Sequence, residues 1–463
     1  MLFHLETSPI SYSSKVTLVF SCSFSRSPGY PYSRFEKVFP LILNKVNSLY
    51  KEHNVETNRD MYLISEEECQ QIIAALRESS FSFLPLYRIY IPKPGKPGKL
   101  RPITIPHPRD IIVMEALEKV LTELFETVFM PSSHGFRPKR GTRTCYWEIL
   151  SLKSVNYCID ADIVSCFDEI PLQRLLDYIH LIIDDDKLQA LISLFLRADI
   201  VDKKGTNYGG KDKGIPQGSP ASPILMNIYL HYLDVLVDNY LVRCPYAHYV
   251  RYADNILLIC VVENLDPQIL VDHLENFVSG LDLRLTISIH SRGGPPFMFL
   301  GIYLKVYSDG HINIFAPLSR IGRKIDVIRD QNNRIEAPIK DPEAVEEKQQ
   351  RLVNLYSHKI ISYLGFFIKS HNSSKLKELL KKKMLDSCLQ EMAKVAKTSV
   401  SNVKKQWGSS LQRAPIPFIP RKQIDCAFQK MLRKYDRQGR EFIRTGKVTK
   451  KLFRRTKTVK RTK

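Results

Sequence analysis

Tyr249-Val250-Arg251-Tyr252-Ala253-Asp254-Asn255-Ile256-Leu257-Leu258-Ile259 is the stretch on which the reading of this chain turns. Two apolar, β-prone runs flank a short polar turn, the pattern of a hairpin with a carboxylate at its tip. Asp and Asn also fill turns for purely structural reasons. An upstream run, Tyr157-Cys158-Ile159-Asp160-Ala161-Asp162-Ile163, gives the hairpin a partner. Side chains alternate along a strand, so Asp160 and Asp162 share one face and Ile159, Ala161 and Ile163 the other. Two carboxylate-bearing strand ends side by side make an oxygen-rich site for hard divalent cations, as in-line nucleotidyl transfer with two metals requires.

At 463 residues the chain can bury more than one core, and its 44% hydrophobic and 25% charged residues are those of a globular protein. The charge balance is unusual: 69 Lys and Arg against 48 Asp and Glu give a net charge of +21. Such an excess favours a polyanion, bound through phosphate contacts with release of counterions, and points to nucleic acid ahead of an anionic membrane. The nine cysteines form no C-x-x-C pair, which argues against a zinc site or disulfide framework and suits a reducing compartment. No run approaches the length of a membrane-spanning helix, so no membrane is expected as partner. Residues 1–34 hold nine Ser and a single acid, Glu6, a composition that resembles an organellar transit peptide and fits a loosely ordered extension equally well.

Helical spacing runs from about 35 to 85, through Val38, Leu41, Ile42, Val46 and Tyr50 and again through Ile72, Ile73 and Leu76. Tyr87–Ile91 alternates like a strand, meets the turn Pro92–Lys99 and returns as Leu100–Ile105, a hairpin with a basic tip. Helices are expected over 110–130, 171–197 and 224–236, and strands over 283–290 and 297–306 on either side of Gly293-Gly294-Pro295-Pro296. Gly214–Pro223 is a turn-rich loop whose small residues allow close backbone approach. Beyond about 316 the chain is helical and basic, with Leu376, Leu379, Leu380, Met384, Cys388, Leu389, Met392 and Val395 on one stripe. Residues 433–463 carry fourteen Lys and Arg against Asp436 and Glu441, the composition of an RNA-binding arm.

Taken in order, these motifs resemble those of the reverse transcriptases encoded by group II introns, over about residues 35–412. Tyr90-Ile91-Pro92-Lys93 with Leu100-Arg101-Pro102-Ile103 is similar to the fingers hairpin, and Ser132–Pro138 to the next fingers block. Asp162–Asp168 resembles palm motif A, Gly214–Pro223 motif B, Tyr252–Asn255 motif C, and Phe299-Leu300-Gly301 the strand near the primer. Leu355-Tyr356, Tyr363–Phe367, Lys397–Val400 and Trp407-Gly408 are similar to the maturase domain X, and the 101–137 segment to the mitochondrial-type lineage. The resemblance implies a right-hand polymerase fold of the α/β (α+β) class. Fingers and palm with an antiparallel sheet would span 35–315, an all-α thumb with domain X 316–412, and a basic RNA-binding tail 413–463, after the extension 1–34. No endonuclease-like segment is recognisable after 412, so DNA cleavage is not expected.

The same resemblance implies roles for particular residues. Asp162 and Asp254 would bind two Mg²⁺ ions, with Asn255 beside them at the catalytic centre. Asn255 stands where a second turn Asp is usual; its amide oxygen can coordinate Mg²⁺ but brings no charge. Asp160 is read as a flanking polar residue and Asp168 as the cap of the next helix. Phe167 would lie under the nucleotide sugar or serve as a core aromatic. Lys93 and Arg101 fit a triphosphate clamp or an RNA-backbone contact, and Gln217 would touch nucleotide or template. Lys96, Lys99, His134, Arg137, Lys381, Lys382, Arg454 and Arg455 are the candidate RNA contacts. The Lys usual in the strand after motif C is missing from Leu283–His290; Arg284 and His290 are the available substitutes, and Arg is a poor acid.

The function implied is a group II intron maturase that binds intron RNA and promotes its splicing, in a mitochondrion or chloroplast rather than a bacterial cytoplasm. Such help needs positive surface and recognition of folded RNA, not the metal site. The alternatives are an active RNA-directed DNA polymerase acting on RNA template, DNA primer and dNTP, or a retron- or defence-type reverse transcriptase. A homodimer is compatible with either.

Overall fold

The computed structural model describes residues 35–56, 64–93, 98–242 and 247–332, and in the basic helical region 348–349, 351–352, 367, 370–395 and 399–403. Lys96, Arg454, Arg455 and most of the domain X motifs lie outside the described residues.

At the centre is a four-stranded antiparallel sheet of order β7-β8-β4-β9, formed by β4 (Tyr157–Ile163), β7 (Ala247–Tyr252), β8 (Asn255–Cys260) and β9 (Leu285–Ser291). Period-two alternation sends Ile159, Ala161 and Ile163 of β4, with Ile256 and Leu258 of β8, into one large core. Cys158, Val250, Leu257 and Ile259 enter a second core on the opposite face. The first face is covered by α3 (Pro108–Phe125), α6 (Leu172–Ile182), α7 (Asp186–Leu196), α8 (Ser222–Val237) and α9 (Pro267–Ser279). α8 buries residues all round its circumference, as a helix enclosed by neighbours must.

The remaining strands form smaller sheets. β2 (Leu86–Pro92) and β3 (Leu100–Ile105) make the expected hairpin, and β6 (Ile200–Asp202) joins β2 in parallel. β10 (Phe297–Phe299), β11 (Ile302–Val306) and β12 (Ile312–Phe315) form a meander on the second core. At the N-terminal side β1 (Phe35–Glu36) pairs with β5 (Ile183–Asp184), and α1 (Phe39–Glu56) and α2 (Glu66–Arg77) follow; α4 (Thr142–Ser151) and the single turn α5 (Cys166–Glu169) lie on either side of β4 in the chain. α10 (Leu318–Asn332) and α11 (Ser373–Val395) meet through Ile321, Ile325, Leu376, Leu380 and Met392, so Leu376, Leu380, Cys388, Leu389 and Met392 of the stripe form a packing face of α11.

Three expectations change. The helix over 171–197 is two helices, because Asp185 accepts a bond from the Leu188 N–H (3.1 Å) and starts a new one after the β5 bridge. The strand over 297–306 breaks at Leu300-Gly301, both at positive φ, which turns β10 back on β11. Leu41, placed on the apolar stripe of α1, is 48% exposed.

Candidate active site

β4 and β8 pair in a register that sets Asp162 opposite Asn255, and the Ile163 N–H donates to the Asp254 carbonyl at 3.0 Å. Asp162 therefore ends one strand where Asp254 sits in the turn that begins its neighbour. On this face the apolar cover runs out in steps: Cys158 is buried, Asp160 half-buried and Asp162 exposed. Burial pushes the Cys166 thiol well up, and Asp254 and Asp162 push it further, so both carboxylates act on one atom. Burial also raises Asp254, against its own backbone N–H, Asn255, Arg101 and Arg251, which lower it. Asp160 is pushed up to about 6 by burial and then by Asp162.

This donor set suits a hard divalent cation: burial disfavours the charged form of Asp254, and Asp162 that of Asp160, and a bound cation relieves both. Asn255 donates its Nδ2 to Asp254 Oδ1 at 3.0 Å, which fixes the turn and directs its amide oxygen elsewhere. Among the described residues no three His, Cys, Asp or Glu side chains converge as a metal cluster.

The turn is held from below by a buried ion pair. Arg251 is fully buried, bonds Asp234 through Nε (2.6 Å) and Nη2 (2.5 Å), and reaches Asn227 Oδ1, Ser133 Oγ and the Ala253 carbonyl. The Tyr249 hydroxyl donates to the same Asp234. The Ala253 carbonyl is thereby pinned in a left-handed residue (φ 57°) that an L side chain adopts only under such constraint. Gly135 packs beneath it: a Cβ there would stand 2.5 Å from the Ala253 nitrogen. Gly135→Ala should therefore displace the hairpin and cost about 1–3 kcal/mol of stability in chemical denaturation. An unchanged denaturation midpoint would show that the turn is free to move.

The motif B loop and the fingers hairpin close on the same place. Ile215 N–H donates to the Phe167 carbonyl (2.7 Å), and Thr104 N–H to the Gln217 carbonyl (2.6 Å). Gly218, at φ 121°, lets β3 approach so closely that a Cβ would lie 2.4 Å from the Thr104 carbonyl oxygen. Arg101 is exposed and acts on Asp254, and Arg88 and Lys93 act on Asp168 of α5. Phe167 is half-buried against the first core. Gln217 is half-buried and Lys99 exposed; Lys381 and Lys382 fall on α11, with side chains outside the described residues.

His134 and Arg137 are corrected. Both are buried: His134 bonds Thr144 Oγ1 (2.7 Å) and Glu148 (3.0 Å), and Arg137 bonds Glu126 twice and the Met130 and Ser133 carbonyls. Their polar groups are spent within the fingers, so neither is free to contact RNA. His290 stacks on Phe297 at 3.8 Å and pairs with Cys158, four residues along β4 from Asp162, so it cannot serve as a proton donor there. Arg284 lies at the correct end, its carbonyl accepting from Val164 N–H. Asp168 lies inside α5, whose N-cap is Ser165, rather than capping a helix.

Sequence reading missed Arg251, Asp234 and Asn227. A signal existed: Arg251 falls on the inward parity of β7, and Asp234 interrupts an otherwise apolar helix. His231, beside them, is lowered to about 4, by burial first, with Arg251 and Arg137 adding and Asp234 opposing. Between that value and the ordinary 6.5 the unfolded chain binds a proton that the folded chain refuses. Stability should fall as pH drops through that window, by on the order of 3 kcal/mol from this group, and His231→Gln should flatten the dependence. Equal pH slopes for the two proteins in urea titrations would refute the assignment.

Residues 91–302 match the family described as Reverse transcriptase (RNA-dependent DNA polymerase). The chain is 34% identical over 233 residues to an uncharacterized 91 kDa protein in a cob intron of Schizosaccharomyces pombe, covering 45% of this chain and 28% of that protein. It is 37% identical over 177 residues to the group II intron-encoded protein LtrA of Lactococcus lactis subsp. cremoris, covering 37% and 28%. An uncharacterized mitochondrial protein, ymf11, of Marchantia polymorpha is 28% identical over 130 residues, covering 28% and 16%. The chain thus spans little more than a quarter of the length of the curated relatives that it matches first.

Proposed function

We propose that this chain, whose residues 91–302 form a reverse transcriptase domain of the group II intron type, is a maturase that binds intron RNA and promotes its splicing. The observation that carries the reading is the joint one: relatives named as intron proteins, on a chain of net charge +21. Polyanion binding on that scale needs no intact metal site, so the Asn255 departure leaves it untouched. Fingers and palm are assigned to 35–315, the thumb with domain X to 316–412 and the basic tail to 413–463. Lys99, Lys381, Lys382 and the tail, with Lys96, Arg454 and Arg455, are the proposed RNA contacts. The transit-like composition of residues 1–34 and the mitochondrial relative support an organelle as the site of action. Crosslinking the protein to RNA in its own cells and sequencing the bound RNA should enrich group II intron sequences. Enrichment of mature transcripts alone would refute the reading.

The alignment of Asp162 with Asn255 favours a second activity, RNA-directed DNA polymerisation. Bound Mg²⁺ would activate the attacking hydroxyl and screen the phosphates. Asp162 and Asp254 would hold the ions with Asn255 beside them; Lys93 and Arg101 would orient the triphosphate, and Phe167 and Gln217 the sugar and base. A retron- or defence-type enzyme is the weaker reading, given relatives named for introns.

A further inference from the structure

The loop between α7 and motif B, residues 199–213, has no part in the sites described above, and it rests four exposed lysines on a hydrogen-bonded frame. Asp202 builds the frame: its Oδ1 accepts from the Lys204 and Thr206 N–H groups (2.9 and 3.0 Å) and its Oδ2 from the Tyr208 hydroxyl (2.9 Å). Asn207 accepts from Ile200 and Gly209 and donates to Asp199 at 2.7 Å. Gly209 approaches so closely that a Cβ would meet the Asp199 Cα at 2.6 Å. Arg88 of β2 stacks on the Tyr208 ring at 4.6 Å and ties the loop to the fingers sheet. At its far end Leu172 N–H donates to the Asp212 carbonyl, which ties it to the palm.

Two of the three acids of this loop are engaged by hydrogen bonds, and the third, Asp212, is exposed beside Arg197. Asp199 and Asp202 accept the bonds just given, and Asp212 faces Arg197 at 3.5 Å. Lys203, Lys204, Lys211 and Lys213 are all exposed, and among the described residues no ion pair engages them. Lys211 also acts electrostatically on Asp168 of α5, next to the strand that carries Asp162. Four cations on a braced loop meet a polyanion without first having to be ordered.

We propose that the loop 200–213 is a separate RNA-contact site, which grips the phosphodiester backbone through Lys203, Lys204, Lys211 and Lys213. It rests on the RNA-binding reading above and adds a location to it. Because Arg88 and Asp202 occupy the one aromatic ring of the loop, Tyr208, the site reads phosphates and not bases.

The test uses the full chain and a fluorescent RNA hairpin with a 20-nucleotide single-stranded tail, titrated by anisotropy from 50 to 400 mM KCl. Four single-strand phosphate contacts at about 0.7 counterion each predict that K203Q/K204Q/K211Q/K213Q makes the slope of log K against log salt shallower by about three. As a folding-independent measurement, the RNA should slow acetylation of these lysines in the wild-type protein relative to exposed Lys51. An unchanged slope, or acetylation as fast with RNA as without, would overturn the proposal and leave the maturase reading standing. Equal protection by polyglutamate at matched salt would overturn it too, since the loop would then be a general anion surface. Failure of the wild type to bind the hairpin at all would overturn both.

Discussion

Asp234→Ala should cost about 3–5 kcal/mol of folding stability, because it leaves the fully buried Arg251 guanidinium without its counter-charge. Arg251 has no solvent exposure through which it could be rehydrated without rearrangement, and the Tyr249 hydroxyl loses its acceptor at the same time. The damage should concentrate at the Ala253-Asp254 turn, which Arg251 pins through the Ala253 carbonyl. Replacing both partners by apolar residues of similar size, Arg251→Met with Asp234→Leu, removes both charges together and should recover most of the loss. Urea denaturation of the two single variants and the double variant checks this. A single-variant loss below about 1 kcal/mol would mean that the pair is solvated and does not hold the turn.

Asn255→Asp should raise Mg²⁺-dependent primer extension on an RNA template by about tenfold, since a second turn carboxylate adds charge where metal affinity follows ligand charge. Asp162→Ala should remove extension in both backgrounds, because Asp162 is the only carboxylate that β4 presents at its exposed end. The readout separates folding from chemistry: RNA binding and melting temperature should stay unchanged while extension responds. Extension that survives Asp162→Ala would move the catalytic centre elsewhere. An Asn255→Asp protein no more active than wild type would show that the missing strand lysine, not the missing carboxylate, sets the rate.

The parts of this site that follow strand alternation could be read from the sequence, and the parts that depend on what lies across the core could not. Asp162 and Asp254 sit at the ends of apolar runs, and alternation gives the face that Asp162 presents, whereas the register that sets Asp162 opposite Asn255 joins strands far apart in the chain and is fixed by packing. The parity of Arg251 carries the same kind of information, yet its partner Asp234 lies 17 residues upstream on another element, and only packing brings them together. His134 and Arg137 show the opposite failure. Residue type in a fingers-like motif suggested outward contact, but Thr144, Glu148 and Glu126 fold over them and consume their donors. The helix over 171–197 split because the run Asp184-Asp185-Asp186 offers a cap that competes with helix continuation, a local signal outweighed in sequence by the apolar spacing on either side. The lysine loop was invisible as a site for another reason. A basic, glycine-rich stretch reads as a solvated connection until Asp199 and Asp202 are seen to be bonded inward.

The most direct test of the account is splicing in cells depleted of the protein and complemented with either wild type or Asp162→Ala. The account predicts that depletion leaves a group II intron unspliced and that both versions restore splicing to the same level, because the RNA-binding surface and not the palm carboxylates does the work. No change in any group II intron on depletion, or rescue by wild type alone, would contradict it.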